Sequence, residues 1–176
     1  RYSDDWRAVV NDPAVELVSI CTPNDTHAEI SIAALAAGKH VWCEKPMSTS
    51  LADSQAMTDA AAASSGRTII GYNYTKNPAV THARRLIESG VIGRVAAFFC
   101  RYDVDNEADG DRPWSWRMSR DQSGTGANGD VLSHVISVAH YLTGSTIKRV
   151  VGDIAIVHGE REDPQNRGSR KSVDND

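Results

Sequence analysis

The sequence has only three cysteines among its 176 residues, and no two of them form a CxxC pair. An odd number without framework spacing argues against a disulfide scaffold of the secreted kind. Cys21, Cys43 and Cys100 each lie in or at the end of an apolar run, which predicts buried, reduced thiols. We therefore expect a reducing compartment, the cytoplasm, as the location of the protein.

Long apolar runs and an excess of positive charge are also absent. No apolar stretch approaches the roughly 18 residues that a membrane-spanning helix needs, and RYSDDWRAVV has neither the apolar core nor the cleavage site of a signal peptide. Lys and Arg number 19 against 23 Asp and Glu, so the net charge is −4. We expect neither a nucleic acid nor a membrane as a partner.

The N-terminal part of the chain alternates short apolar runs with helical patterns. The runs rich in β-forming residues predict strands, and the spacing of alanine and isoleucine predicts helices that end on glycine. Strands are expected over 17–21, 40–44 and 68–74, and helices over 4–11, 26–38 and 50–66. Strand, helix and strand joined by short loops indicate parallel βαβ units in an open sheet.

The remainder of the chain has longer apolar segments. Strands are expected over 94–105 and 147–159, helices over 77–90 and 126–144, and a polar loop over 106–125. Long strands separated by one helix predict an α+β domain with an open, largely antiparallel sheet. The predicted fold class is therefore α/β, an open parallel βαβ half followed by an α+β domain. The polar residues 159–176 are expected to form a tail without a core.

The heptapeptide CTPNDTH follows the first predicted strand, at residues 21–27. Ligands of open parallel sheets bind outside the carboxyl ends of the strands. The helix that starts here favours an anion or the polar edge of a ligand at its N-terminus. A plain turn in which Asn24 or Asp25 caps the helix is the alternative interpretation.

The tetrapeptide CEKP follows the second predicted strand, at residues 43–46. A residue that precedes proline is held away from helical geometry, and the Lys45–Pro46 bond is a candidate for the cis form. A lysine fixed in this way can place one positive charge beside a substrate oxygen and stabilise an alkoxide that forms during oxidation. A solvated surface lysine is the alternative.

Asp130 and His134 are four residues apart on a predicted helix, so their side chains share one face. A carboxylate beside an imidazole raises its basicity and suits a general base near neutral pH. An ordinary helical pair without a function is the alternative. His140 lies on another part of the helix turn, and the histidines lack HxxxH or HExxH spacing, so no metal site is predicted.

Taken together, these motifs resemble the Gfo/Idh/MocA oxidoreductases. The stretches that carry the resemblance are CTPNDTH, AAGKHVWCEKP, IIGYNYTKNP, ESGVIGRV and GTGANGDVLSHVISVAHYLTG, and it extends over residues 4–158. It implies a partial Rossmann domain over 1–74, without the first βαβ unit and its GxGxxG turn. A partial C-terminal domain for substrate binding and oligomerisation would span 75–158, and the polar tail 159–176.

The resemblance also implies roles for individual residues. The cofactor, NAD or NADP, would be lined by Thr22, Pro23, Asn24 and His27. The nicotinamide ring and the substrate would be bordered by Glu44, Lys45 and Pro46. His134 would act as acid and base, while Lys45 and Asp130 position the substrate. We also expect a substrate contact from Asn73. Trp114 and Trp116 in the loop PWSWR can pack against the apolar face of a sugar; burial at the domain junction is the alternative for both tryptophans.

The expected reaction is hydride transfer between a nicotinamide and the hydroxyl carbon of a sugar or cyclic polyol. An NAD-dependent glycosidase of the same family and a non-catalytic binding module are the alternatives. The missing glycine-rich turn leaves the choice between NAD and NADP open and predicts weak cofactor binding and little activity for the chain alone. A full-length protein would form homo-oligomers through its C-terminal sheet. Leu132 stands where the family usually has glycine, and Ser137 where it has aspartate.

Overall fold

The computed structural model describes residues 2–105 and 107–175. Its elements, in chain order, are α1 (Trp6–Asn11), β1 (Leu17–Ile20), α2 (His27–Ala36), β2 (His40–Cys43), α3 (Leu51–Ala63), β3 (Thr68–Ile70), α4 (Pro78–Glu88), α5 (Arg120–Ser123), α6 (Ser133–Thr143), β4 (Glu160–Glu162) and β5 (Arg170–Ser172). They form two compact units. The N-terminal unit comprises the residues up to Gly71 and Ser119–Gly124, and the C-terminal unit comprises Tyr72–Met118 and the residues from Thr125 onward.

The N-terminal unit contains a parallel sheet with the strand order β1, β2, β3. Its helices begin where local signals predict them, because the Asp5 side chain accepts from the backbone N–H of Arg7 and the Ser50 side chain accepts from that of Asp53. Gly38 follows α2 with a φ of +73°, a conformation that glycine adopts at little cost. The predicted βαβ arrangement is confirmed.

The core of this unit lies between the sheet and helices α2 and α3. Ile20 and Cys43 point inward from the strands and are no more than 1% exposed. Ala34 on α2 is fully buried, and Met57 on α3 is 3% exposed. Because alanine has a small side chain, α2 packs close to the sheet, and this packing fixes the loops that leave the carboxyl ends of the strands.

The two long strands predicted for the C-terminal unit are not found. Within the described residues, neither 94–105 nor 147–159 contains a strand. Apolar side chains in both segments are open to solvent: Phe99 is 92% exposed and Val151 is 100% exposed. A strand needs a hydrogen-bonded neighbour, and no strand pairs with either segment in this part of the chain.

The antiparallel sheet of the C-terminal unit is formed instead by β4 and β5, within the segment that the sequence predicts to be a tail without a core. Arg161 of β4 is 3% exposed and donates to the backbone carbonyls of Glu107 and Asp109. The Trp114 indole donates to the Ser172 carbonyl at 3.0 Å. The tail is therefore held by hydrogen bonds from an arginine and a tryptophan, which apolar periodicity does not reveal.

The helix predicted over 126–144 is confirmed as helical residues 126–143, but part of it is not α-helical. Asn128–Leu132 forms a π-helix, and α6 follows it as a regular α-helix. Short π-helical turns occur often at functional sites. Of the helices in the described residues, none has both the length and the apolar character needed to cross a membrane.

The sequence predicts that all three cysteines are buried, and this prediction is wrong for two of them. Cys43 ends β2 in the core, whereas Cys21 and Cys100 are exposed. Cys21 lies one residue beyond the last residue of β1, and Cys100 lies in the exposed segment 94–105. An apolar run therefore predicts a buried thiol only where an element packs over the run.

We expect Cys43 to resist thiol reagents in the folded protein. Burial raises the pKa of its thiol from 9.0 to about 11, so at pH 8 it carries about 100-fold less of the reactive thiolate than an ordinary cysteine. Titration with a chromogenic disulfide should show two thiols reacting in native buffer and the third only in denaturant. Equal reactivity of three thiols in native buffer would contradict this expectation.

The same shift has a consequence for stability. Because the folded-state pKa of Cys43 lies above its unfolded value, its contribution to stability is complete below pH 9 and is lost as the pH rises through about 11. Cys43→Ala serves as the control. The decrease in the free energy of unfolding that this thiol causes between pH 9 and about 11 should be absent from that variant.

Candidate functional site

The carboxyl ends of the three parallel strands bring distant parts of the sequence together. The backbone N–H of Glu44 donates to the Ile20 carbonyl at 2.9 Å, and that of Gly71 donates to the Cys43 carbonyl at 2.8 Å. The residues that follow β1, β2 and β3 therefore lie side by side at one edge of the sheet. This is the edge at which open parallel sheets bind their ligands.

The loop after β1 is held by hydrogen bonds of its own side chains. Asn24 is 8% exposed and donates to the Ser123 carbonyl at 2.9 Å, so its amide belongs to the framework of the loop. The Thr26 hydroxyl donates to the Pro23 carbonyl at 2.7 Å and lies 2.6 Å from the Thr22 hydroxyl. Thr22 is exposed and Pro23 half-buried. Thr22 is thus the polar side chain of this loop that is both held in place and accessible.

His27 joins the loops that follow β1 and β2. Its side chain is 1% exposed, Nδ1 lies 2.9 Å from the Pro46 carbonyl, and Nε2 lies 2.9 Å from the Thr22 carbonyl. Both ring nitrogens are therefore directed at backbone oxygens. In this structure His27 positions Thr22 and Pro46, two of the residues that the resemblance places around the cofactor.

Replacing His27 by alanine should lower the free energy of unfolding by about 2–3 kcal/mol, since a buried hydrogen-bonding group is lost at two backbone carbonyls. Urea unfolding followed by circular dichroism measures the change. The matched control is His82→Ala on the exposed side of α4, which should stay within about 0.5 kcal/mol of the parent. A loss at position 27 no larger than the control would show that the joined loops do not depend on this ring.

The loop after β2 presents a carboxylate and an ammonium group. Glu44 and Lys45 are both half-buried, and the Lys45 backbone N–H donates to Glu44 Oε2 at 3.4 Å. The Lys45–Pro46 peptide bond is cis. A Cβ added at Gly71 would lie 2.7 Å from Glu44 Oε1, so the carboxylate occupies the space beside the Gly71 backbone. Glycine at 71 is what lets the Glu44 side chain lie there.

These side chains fit the polar edge of a nicotinamide nucleotide. The Thr22 hydroxyl can donate or accept, the Glu44 carboxylate accepts, and the Lys45 ammonium donates. They project from a sheet edge with an apolar core behind it. The site therefore has the few convergent polar groups on a rigid framework that small-molecule sites require.

In the C-terminal unit, the residues predicted to act on the substrate lie on different elements. His134 is in the first turn of α6 and 8% exposed, and Asp130 is half-buried in the π-helix before it. Asn73 is exposed at the start of the 3₁₀-helix Asn73–Lys76. Trp116 is half-buried, with the Arg117 guanidinium 4.5 Å from its ring centre. The pairing of Asp130 with His134 stays a prediction.

Two tyrosines beside His134, and a third that contacts one of them, were not predicted as site residues. The Tyr74 ring centre lies 4.5 Å from that of His134, and the Tyr72 ring centre lies 6.1 Å from it, both in edge-on geometry. Tyr102 contacts Tyr74. The alternation in YNY, at the end of the strand predicted over 68–74, was the available signal, because residues two apart on a strand share a face. The structure places Tyr74 in the 3₁₀-helix Asn73–Lys76 instead. Burial raises the pKa of Tyr72.

A metal centre was not predicted from the sequence. Within the residues that the structure describes, no three His, Cys, Asp or Glu side chains come close enough together to hold a metal ion.

The parallel sheet with polar side chains at its carboxyl edge has the architecture of a nucleotide-binding domain of the Rossmann class. Comparison with known proteins identifies its family. Residues 1–72 match the oxidoreductase family model with an NAD-binding Rossmann fold, and residues 80–174 match the GFO/IDH/MocA C-terminal domain. The chain belongs to the Gfo/Idh/MocA family of oxidoreductases.

Two curated relatives and one solved structure show what the chain is similar to. It is 44% identical over 142 residues to levoglucosan dehydrogenase of Pseudarthrobacter phenanthrenivorans, covering 81% of this chain and 36% of that protein. It is 30% identical over 149 residues to inositol 2-dehydrogenase of Salmonella typhimurium, covering 84% and 41%. A levoglucosan dehydrogenase in complex with NADH and L-sorbose superposes with a TM-score of 0.91 at 38% identity, covering 99% and 46%. The chain thus spans less than half the length of each.

Proposed function

We propose that this protein is an NAD(P)-dependent dehydrogenase that oxidises a secondary hydroxyl group of a sugar or cyclic polyol. The observation that carries the proposal is the carboxyl edge of the parallel sheet, which ends in Thr22, Glu44 and Lys45. The 44% identity to levoglucosan dehydrogenase supports an anhydrosugar or a related ring-shaped sugar as the first substrate to assay.

In the proposed reaction the hydroxyl carbon loses a hydride and the hydroxyl oxygen loses a proton, which leaves a ketone. Chemically, a bound nicotinamide in its oxidised form would supply the hydride acceptor. His134 accepts the proton, because an imidazole is a suitable base near neutral pH. Lys45 provides a positive charge beside the oxygen, where negative charge grows as the hydride leaves.

The other predicted residues have supporting roles in this proposal. Asp130 and Asn73 bind further hydroxyl groups, and Trp116 packs against an apolar face of the sugar ring. Thr22, Pro23 and Glu44 border the nicotinamide, while Asn24, His27 and Pro46 maintain the loops that present them. These residues do not distinguish NAD from NADP.

The proposal is tested on the product of the complete gene. Purified protein is mixed with NAD or NADP and with levoglucosan, L-sorbose or myo-inositol, and reduced nicotinamide is followed by its absorbance. We expect reduction of one cofactor that depends on one class of cyclic substrate. No reduction with any of these substrates at several pH values would overturn the proposal. Release of a sugar from a glycoside without net cofactor reduction would instead support the glycosidase.

A further inference from the structure

Two tyrosine rings lie edge-on to the buried imidazole of His134. Tyr74 has its ring centre 4.5 Å from the imidazole centre, with 62° between the planes, and Tyr72 lies farther away with the planes nearly perpendicular. Edge-on geometry between rings is favourable and depends on orientation. Each ring therefore restricts how the imidazole can turn.

Tyr74 is itself held by a second tyrosine. Its hydroxyl oxygen lies 2.5 Å from that of Tyr102, and the two hydroxyls share a hydrogen bond. The two ring centres are 5.7 Å apart. This bond connects the 3₁₀-helix that carries Tyr74 to the segment 94–105, where the described residues form no strand. A polar contact between side chains thus joins Tyr74 to a segment that has no helix or strand in the described residues.

Tyr102 also lies within the electrostatic influence of Asp130. The hydrogen bond with Tyr74 is the main cause that raises the pKa of Tyr102, and the Asp130 carboxylate adds a smaller rise. Both causes favour the protonated hydroxyl, so Tyr102 keeps the proton that the bond to Tyr74 needs. The pair is consequently a contact between two neutral hydroxyl groups, in the same unit as the two residues predicted to act on the substrate.

We propose that Tyr74 is a positioning residue for His134, and that Tyr102 locks Tyr74 in place through the shared hydrogen bond. This inference rests on the proposed function, in which His134 must present one ring nitrogen to a substrate hydroxyl. Simple hydrophobic packing would need only the tyrosine rings. Positioning by the locked pair needs the hydroxyl groups as well, so phenylalanine variants separate the two roles.

The activity test uses Tyr74→Phe, Tyr102→Phe and the double variant in the product of the complete gene. Removing either hydroxyl abolishes the same bond, so each single variant and the double variant should lose the same factor in kcat, about 5- to 20-fold, with KM within about twofold. Tyr141→Phe is the matched control, because that ring packs against Arg84 in the same unit. Its kcat should not change.

A second measurement separates failure of this inference from failure of the proposed function. The nuclear magnetic resonance signal of the His134 ring, observed with the 176-residue chain, needs no turnover. It should move by the same amount in both single variants and in the double variant, and stay unchanged in Tyr141→Phe. If no sugar is oxidised by the parent protein, the proposed function fails while this signal still decides the positioning role. The positioning role would be overturned by a His134 signal that does not move. It would also be overturned if the loss of kcat in the double variant equalled the combined losses of the two single variants.

Discussion

Replacing Lys45 by methionine is expected to lower kcat about 10²–10³-fold, which is the usual effect of removing one preorganised charge from the site of a developing oxyanion. Methionine keeps much of the length of lysine and removes the charge. The backbone around Lys45 is fixed on both sides, because Glu44 N–H donates to the Ile20 carbonyl and the Pro46 carbonyl faces His27 Nδ1. The ammonium group therefore extends from a rigid corner of the backbone.

Lys45→Arg should not restore the rate. Arginine keeps the charge but spreads it over a broad planar group, whereas an ammonium is a compact point charge. The measurement is single-turnover hydride transfer with protein preloaded with cofactor, and Lys148→Met at an exposed lysine is the control. Equal rates in the parent, Lys45→Met and Lys45→Arg would show that Lys45 takes no part in hydride transfer. The turn that contains it would then have only a structural role.

The parts of the fold that were predictable are those determined by neighbours in sequence. Asp5 and Ser50 begin their helices by accepting backbone N–H groups within three residues, and Gly38 follows α2 in the left-handed conformation. The parallel order of β1, β2 and β3 follows from the helices between them. Once the strands are parallel, Thr22 and Lys45 must lie at the same sheet edge, so half of the candidate site could be read from the sequence.

The rest depends on contacts between distant residues. The segments 94–105 and 147–159 have the composition of strands, but composition does not supply the neighbouring strand that each one needs. Conversely, β4 and β5 form in a polar segment because the guanidinium of Arg161 binds carbonyls more than 50 positions away in sequence. Neither result follows from hydrophobic periodicity.

The candidate site shows the same division. His27 could be recognised as part of a ligand-binding motif, yet its two contacts with backbone carbonyls assign it to the framework. Tyr74 was overlooked because its partner Tyr102 lies 28 positions away. A motif therefore indicates which residues belong to a site, and only the three-dimensional contacts distinguish a residue that can meet the substrate from one that holds its neighbours.

Replacing His134 by alanine should lower kcat about 10²–10⁴-fold, the range typical of losing a positioned general base. Cofactor affinity should change little, because His134 belongs to the C-terminal unit, whereas the NAD-binding family model matches residues 1–72. The variant is assayed at several pH values, since hydroxide can take over part of the proton transfer at high pH. Binding of reduced nicotinamide is measured separately by fluorescence.

The control for this prediction is His140→Ala, on the same helix. His140 is exposed and its Nδ1 contacts the Ser145 carbonyl, so its loss should leave kcat within about twofold of the parent. A His134→Ala variant that keeps activity within a few-fold of the parent at every pH would show that proton transfer lies elsewhere, and Lys45 would be the next base to examine. A variant that loses cofactor binding together with kcat would assign His134 to the framework, because a base that acts only on the substrate proton has no reason to change the affinity for the nicotinamide.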